Sequence, residues 1–185
     1  TIVVTPFEQN ARILYDEQSS LVCIVDPGGE INVISKHLDN LSFTKASIVI
    51  THSHIDHISG LGNLLRYLEN KVSDQVTVYA SRIEKNMREA IPQQAQMFGL
   101  PASEYSMPPE PNVFFEDIKT MQFASLVFDV LFTPGHSPGH YSLFCNDQSE
   151  VIEKVFYHDS IKAVGEASYK SPFCLAGDVL FQGSI

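Results

Sequence analysis

The sequence predicts an α+β sandwich with four layers in the order α/β/β/α. Three observations lead there: short apolar strands open the chain, strands and helices alternate through its middle, and strands dominate its second half. Two sheets covered by helices would bury both apolar surfaces and leave the strand ends free for a site.

Segments 2–5, 11–15 and 21–25 are β-rich and separated by the turn-rich stretches 8–10 and 16–20, which predicts an antiparallel meander. Asp26-Pro27-Gly28-Gly29 breaks the pattern, and Ile31, Ile34, Leu38 and Leu41 follow at helical spacing. Residues 46–50 form a continuous apolar run, as in a strand buried on both faces. Ile58, Leu61, Leu64, Leu65 and Leu68 share one face of the next helix, and a short strand follows at 76–80. Ser81 with Glu84 reads as a capping box opening a helix through Ile83, Met87 and Ala90. The Pro-, Gln- and Met-rich stretch 92–111 reads as a long loop, a type that is often functional. Strands are expected at 113–115, 121–124, 126–132, 140–145 and 173–176, with 146–171 as an inserted hairpin. No internal repeat or low-complexity segment interrupts this order.

At 185 residues and 44% apolar, the chain is long enough for one domain with its own core, and 1–185 is taken as that domain. No apolar run reaches the roughly 18 residues of a membrane helix, and no basic-then-apolar leader opens the chain. A Thr at position 1 suggests a trimmed start. Cys23, Cys145 and Cys174 are odd in number, widely spaced and set in apolar runs, which predicts buried reduced thiols and a cytoplasmic protein. A net charge of −10 argues against nucleic-acid and anionic-membrane partners, both of which need basic patches. It does not exclude an anionic small-molecule substrate, since bound cations can reverse the local field.

The strongest chemical signal is His52-x-His54-x-Asp56-His57, directly after the buried 46–50 strand. One histidine there would be unremarked; three histidines and an aspartate on a turn leaving a strand end can converge on a point. Imidazole and carboxylate ligands suit zinc, iron or manganese. The second signal is Thr133-Pro134-Gly135-His136-Ser137-Pro138-Gly139-His140, where a forced turn after the 126–132 strand puts His136 at its tip. Alone, this stretch would pass for a Pro-Gly surface loop. The third is Gly177-Asp178 after apolar 173–176, weak by itself because Asp after Gly is common turn chemistry. A third strand end delivering a carboxylate makes a two-metal site a sound expectation.

Taken in order, these motifs resemble the metallo-β-lactamase superfamily across nearly the whole chain. Asp26-Pro-Gly, the Gln-x-x-Met-Phe-Gly segment at 94–99 and the plain Thr-Pro-Gly-His motif are similar to small, single-domain bacterial glyoxalase II-like hydrolases. The resemblance implies the αββα fold and two divalent metal ions, zinc foremost. His52, His54 and His136 would hold the first ion, Asp56 and His57 the second, and Asp178 would bridge them. Asp26 would orient a ligand histidine, as orienting partners do, unless it is only a turn aspartate. His140 would support the site or face the substrate, unless it is ordinary turn packing, and His37 is expected to be exposed to solvent.

The family's remaining histidine, in a Gly-His turn well downstream of Gly-Asp, is not among these 185 residues, and neither is its Gly-Arg-x-Asp stretch. The expectation is therefore a C-terminally incomplete chain lacking the last strand and helix elements. His158 could replace the missing ligand, though a solvated loop histidine is the simpler reading.

The implied reaction is hydrolysis of a thioester such as S-lactoylglutathione by a metal-activated hydroxide, with Asp56 as the catalytic carboxylate. A thiolate leaving group, with a pKa of about 8.5, needs no strong general acid. No Gly-x-Ser-x-Gly elbow is present, against a serine hydrolase. Two alternatives stand beside it. One is a persulfide dioxygenase-like, mononuclear-iron oxidoreductase, which the Gly-rich Ile58–Gly62 stretch would fit. The other is a truncated metal-binding protein without turnover.

Overall fold

The computed structural model describes residues 1–101, 105–157, 162–170 and 172–179. β1 (Ile2–Val4), β2 (Gln9–Asp16) and β3 (Leu21–Val25) make the expected antiparallel meander. Next come α1 (Ile31–Leu38), β4 (Lys45–Val49), α2 (Ile55–Ile58), α3 (Leu61–Glu69), β5 (Thr77–Ala80), α4 (Lys85–Glu89), α5 (Ile91–Met97) and β6 (Val113–Phe114). Through this stretch β3, β4, β5 and β6 are parallel neighbours, because each connection carries a helix back along the sheet. The remaining strands are β7 (Thr120–Phe123), β8 (Leu126–Phe132), β9 (Tyr141–Cys145), β10 (Val151–Tyr157), β11 (Gly165–Tyr169) and β12 (Phe173–Leu175).

They form two sheets, one of order β11-β10-β1-β2-β3-β4-β5-β6 and one of order β12-β9-β8-β7. Within 146–171, β10 and β11 pair antiparallel, as expected of a hairpin, but they do not join their chain neighbours β9 and β12. Instead β10 pairs in parallel with β1 and extends the larger sheet.

Alternation along the central strands builds two cores. Val22, Ile24, Ile48 and Ile50 face one way, against Ile34 and Leu38 of α1, Ile58 of α2, Leu61, Leu64 and Leu68 of α3 and Ile91 of α5. Cys23, Val25 and Val49 face the other way, against Phe115, Phe128, Tyr141, Leu143 and Leu175 between the sheets. The protein is thus an α+β sandwich. The described residues supply a helical layer and both sheets, and among them no helix covers the outer face of the smaller sheet, where Val127, Leu131 and Cys174 are exposed. No helix of the described residues is long and apolar enough to cross a membrane.

Four expectations need correction. The 92–111 stretch is not all loop, since Ile91–Met97 is helical with Pro92 in the first turn, where no backbone N–H is required. Ser81 and Glu84 do not form a capping box; the Glu84 side chain makes no capping bond. Cys174 is exposed, while Cys23 and Cys145 are buried and all three are free. His37 is half-buried, its ring 4.4 Å from that of Phe156. His158 lies outside the described residues.

Candidate metal centre

The site gathers at the carboxyl ends of the parallel strands, where open α/β sheets place their ligands. Asp26 follows β3 with φ 49°, a left-handed conformation that aspartate tolerates better than most residues. Its backbone N–H donates to the Val49 carbonyl, so the turn is tied to the end of β4. Its carboxylate accepts from Thr51 N–H and from Thr51 Oγ1, each at 2.7 Å. Gly28 follows with φ +59°, and a Cβ there would lie 2.5 Å from the Asp56 carbonyl. The Pro27-Gly28 turn is therefore packed on the start of α2. Gly60 closes the same contact, its N–H donating to the Gly28 carbonyl. Packing thus accounts for Gly60 within the Gly-rich stretch.

This frame brings the candidate ligands together. His52 Nε2 lies 3.0 Å from His54 Nδ1, which lies 2.9 Å from His136 Nε2. The nearest ring nitrogens of these three residues fall within 4.8 Å of one another, as do those of His52 and His57 with a carboxylate oxygen of Asp178. Asp178 spans the two groups, Oδ1 at 3.2 Å from His57 Nε2 and Oδ2 at 3.4 Å from His136 Nε2. Asp56 stands further out, its Oδ2 3.6 Å from His57 Nε2. The centre grades from a buried floor, His52 and His57, to half-buried His54 and a solvent-facing His136.

Proton bookkeeping shows what the groups can do. Thr51 Oγ1 directs its hydrogen to Asp26, so it accepts from His52 Nδ1, 3.2 Å away. His52 Nε2 is then a bare lone pair facing the other imidazoles. Burial, and then the neighbouring imidazoles, hold the His52 pKa far below its ordinary range, and His54 is lowered by burial and then by His136. Both rings are neutral at pH 7, the form that binds metal.

His57 differs. It is buried, its Nδ1 lies 3.1 Å from Asp26, and neither ring nitrogen has an in-line hydrogen bond. Burial pushes its pKa down, but Asp26, Asp178 and Asp56 outweigh that and lift it to about 10. In the metal-free protein the protonated ring itself supplies the positive charge between these carboxylates, and a divalent cation at Nε2 would take the place of that proton. The donor set, four imidazoles with two carboxylates, fits divalent zinc, iron or manganese.

His140 is fully buried and is not part of either nitrogen cluster. Its Nε2 accepts from the backbone N–H of Asp178 at 3.1 Å, so Nδ1 carries the proton and donates to Thr133 Oγ1 at 2.9 Å. Thr133 in turn meets Ser142 Oγ at 3.0 Å, which donates to the Ala176 carbonyl at 3.2 Å. This chain joins the ends of β8, β9 and β12. Tyr141 N–H adds a stitch to the Thr51 carbonyl at 2.9 Å, joining the two sheets beside the site.

Sequence reasoning missed Glu84. It is buried and reaches away from α4, accepting from Ser53 N–H, Ser137 Oγ and Gly139 N–H. Its mark is tertiary: a Cβ at Gly139 would lie 2.5 Å from Glu84 Cγ.

Residues 22–152 match the profile of the metallo-beta-lactamase superfamily, and the chain belongs to that superfamily. Several relatives match over essentially the whole chain. It is 28% identical to the hydroxyacylglutathione hydrolase GloC of Haemophilus influenzae, over 100% of this chain and 72% of that protein. It is 30% identical to the probable metallo-hydrolase YqgX of Bacillus subtilis, over 98% of this chain and 71% of that protein. A hydroxyacylglutathione hydrolase of Shewanella oneidensis is 31% identical over 73% of this chain, which spans 46% of it. Among solved structures, the BLEG-1 B3 metallo-beta-lactamase superposes with a TM-score of 0.61 at 24% identity, covering 78% of this chain and 65% of that one. TTHA1623 in a di-iron-bound form gives 0.57 at 24%, covering 76% and 64%. The chain thus spans just under two thirds of these two structures, whose likeness establishes the fold.

Proposed function

We propose that the chain is a metal-dependent hydrolase that opens a thioester of the S-lactoylglutathione type with two divalent cations, zinc foremost. The observation that carries this reading is the convergence of His52, His54 and His136 nitrogens at about hydrogen-bond spacing, beside a buried His57 that faces two carboxylates. His52, His54 and His136 hold one ion, Asp56 and His57 the other, and Asp178 lies between them. Such ions, when bound, lower the pKa of water toward 7 and polarise a carbonyl.

The chain's own residues do the rest. Asp26 orients His57, and Asp178 is held by its backbone to His140. Asp56, with a side chain 21% exposed and so open to incoming water, is the catalytic carboxylate in this reading. Among the described residues no general acid stands at the open side, and a thioester needs none, because a thiolate leaves without one. The names of the Haemophilus and Shewanella relatives favour a glutathione thioester. The acidic chain favours a small-molecule substrate over nucleic acid or membrane, and three unbridged thiols favour a cytoplasmic setting.

The test is metal content together with S-lactoylglutathione hydrolysis, in the parent and in His54→Ala and Asp56→Ala. The expected result is about two ions per chain, turnover in the parent, and none in either variant with little loss of fold. Full metal-dependent hydrolysis by either variant overturns the assignment. About one ion without turnover would mark a metal-binding protein, and oxygen uptake with glutathione persulfide by an iron-loaded protein would mark an oxidoreductase.

A further inference from the structure

Three histidines of the centre sit on two loops that are remote in sequence. His52 and His54 leave β4, His136 leaves β8, and 82 positions separate His54 from His136. Their ring nitrogens nonetheless lie 2.9 Å apart, so something outside the ligands must hold the loops in register. The groups that bridge the loops are few, and one side chain reaches both.

That side chain is Glu84. One carboxylate oxygen accepts the backbone N–H of Ser53, which lies between His52 and His54. The other accepts the hydroxyl of Ser137, next to His136, and the backbone N–H of Gly139, next to His140, the latter at 3.1 Å. The approach is close enough to dictate a neighbour's identity: a Cβ at Gly139 would sit 2.5 Å from both Glu84 Cγ and Ser81 Oγ. Glu84 is itself held from behind. Glu116 accepts from Ser81 Oγ at 2.7 Å and from the backbone N–H groups of Arg82 and Ile83, which fixes the turn that delivers Glu84.

A cap for α4 would not look like this. Glu84 stands at the N-terminal boundary of that helix, yet its side chain bonds no helix N–H. Nor is it half of an ion pair: among the described residues no cationic side chain reaches its carboxylate. Arg88, one turn on, directs its guanidinium to the Ser81 carbonyl and to Glu110. Burying an unpaired carboxylate is costly unless every lone pair finds a donor, and the donors here belong to the two histidine-bearing loops.

We propose that Glu84 is a positioning residue that sets the spacing between the 51–54 and 133–140 loops and thereby sets metal affinity at His52, His54 and His136. The proposal rests on the metal-centre reading given above. Glutamine does not reproduce the role, because its amide NH2 must face the backbone N–H of either Ser53 or Gly139, and both are donors.

The experiment compares the parent with Glu84→Gln and Ser137→Ala. Three quantities are read: zinc dissociation constant by chelator competition, the visible spectrum of the cobalt-loaded protein, and the melting temperature of the metal-free protein. Outer-shell partners of this kind change metal affinity roughly 10- to 100-fold. Glu84→Gln is expected to weaken zinc binding by about that factor and to alter the cobalt ligand-field bands. Ser137→Ala removes one of the donors, keeps the carboxylate, and is expected to move both in the same direction by less. It carries the test if Glu84→Gln does not fold. A lower melting temperature with unchanged zinc affinity and cobalt spectrum would make Glu84 merely structural and overturn the proposal. His54→Ala separates the two readings. If it binds zinc as tightly as the parent, the metal centre itself is wrong; if it loses zinc while Glu84→Gln keeps parental affinity, only the role of Glu84 falls.

Discussion

His140 holds Asp178 by its backbone, not by its carboxylate. The Asp178 N–H donates to His140 Nε2 at 3.1 Å, which leaves both carboxylate oxygens to face His57 and His136. The imidazole is fixed in turn by Thr133 on its other nitrogen.

Replacing His140 therefore leaves the Asp178 N–H without its acceptor and takes a donor away from Thr133 Oγ1, which keeps Ser142. His140→Ala is expected to lower unfolding stability by about 1–3 kcal/mol, because it removes a buried side chain and leaves the half-buried Asp178 N–H without its acceptor. Denaturant unfolding of the metal-free protein measures this. A change under about 0.5 kcal/mol, the range of ordinary surface sites, would show that the chain from His140 to Ala176 carries no weight.

Gly177 precedes Asp178 with φ +54°, and a Cβ there would lie 2.4 Å from His140 Nε2 and 2.7 Å from Thr51 Oγ1. Gly177→Ala combines a left-handed backbone with that overlap and is expected to cost more than the roughly 1 kcal/mol of strain at such a conformation alone. Gly135, with nothing within 4 Å of a built Cβ, provides the contrast. Gly135→Ala is expected to stay within about 0.5 kcal/mol. Thermal melts of the pair decide it, and equal shifts would refute the packing explanation.

The raised His57 pKa gives the metal-free protein a definite pH response. A group whose folded pKa of about 10 exceeds its ordinary 6.5 stabilises fully below pH 6.5 and loses that contribution as pH rises toward 10. Melting temperature in chelator should accordingly fall between pH 6.5 and 10. Asp26→Asn, which removes the chief carboxylate raising that pKa, should flatten the slope. A melting temperature that holds or climbs through this window would mean that His57 is neutral in the folded protein.

Thiol chemistry should distinguish the cysteines. Cys174 is exposed on the outer face of the small sheet, whereas burial shields Cys23 and Cys145 and pushes the Cys23 thiol up to about 11. A disulfide reagent is expected to titrate one thiol in the native protein and three after denaturation. Cys174 itself will react slowly, since the protein around its sulfur partly desolvates the thiol and raises its pKa. Rapid reaction of all three in native buffer would contradict the packing between the sheets.

Much of this was legible in the chain because period-2 alternation and apolar runs survive without tertiary information. The expected 126–132 strand coincides with Leu126–Phe132, and the expected 21–25 strand with Leu21–Val25. His52, His54, His57, His136 and Asp178 come together because each immediately follows or lies near a strand end. Two features were hidden for physical reasons. Glu84 sits at a spacing from Ser81 that local capping and a distant clamp share, and only tertiary contacts tell them apart. Pro92 suggested a loop, although proline is well accommodated in a helix's first turn. The exposure of Cys174 was available in principle. It falls between inward-facing Phe173 and Leu175, so strand alternation points it outward.

The stitch from Tyr141 to Thr51 has a kinetic corollary. The groups that converge at this centre span the chain from His52 to Asp178 and meet only after the two sheets have docked, so the pocket is a late product of folding that depends on long-range contacts. An ion gripped by all of them would discriminate against every partly assembled form, and its grip would slow global unfolding while leaving the fraying of peripheral hairpins such as β10–β11 unchanged.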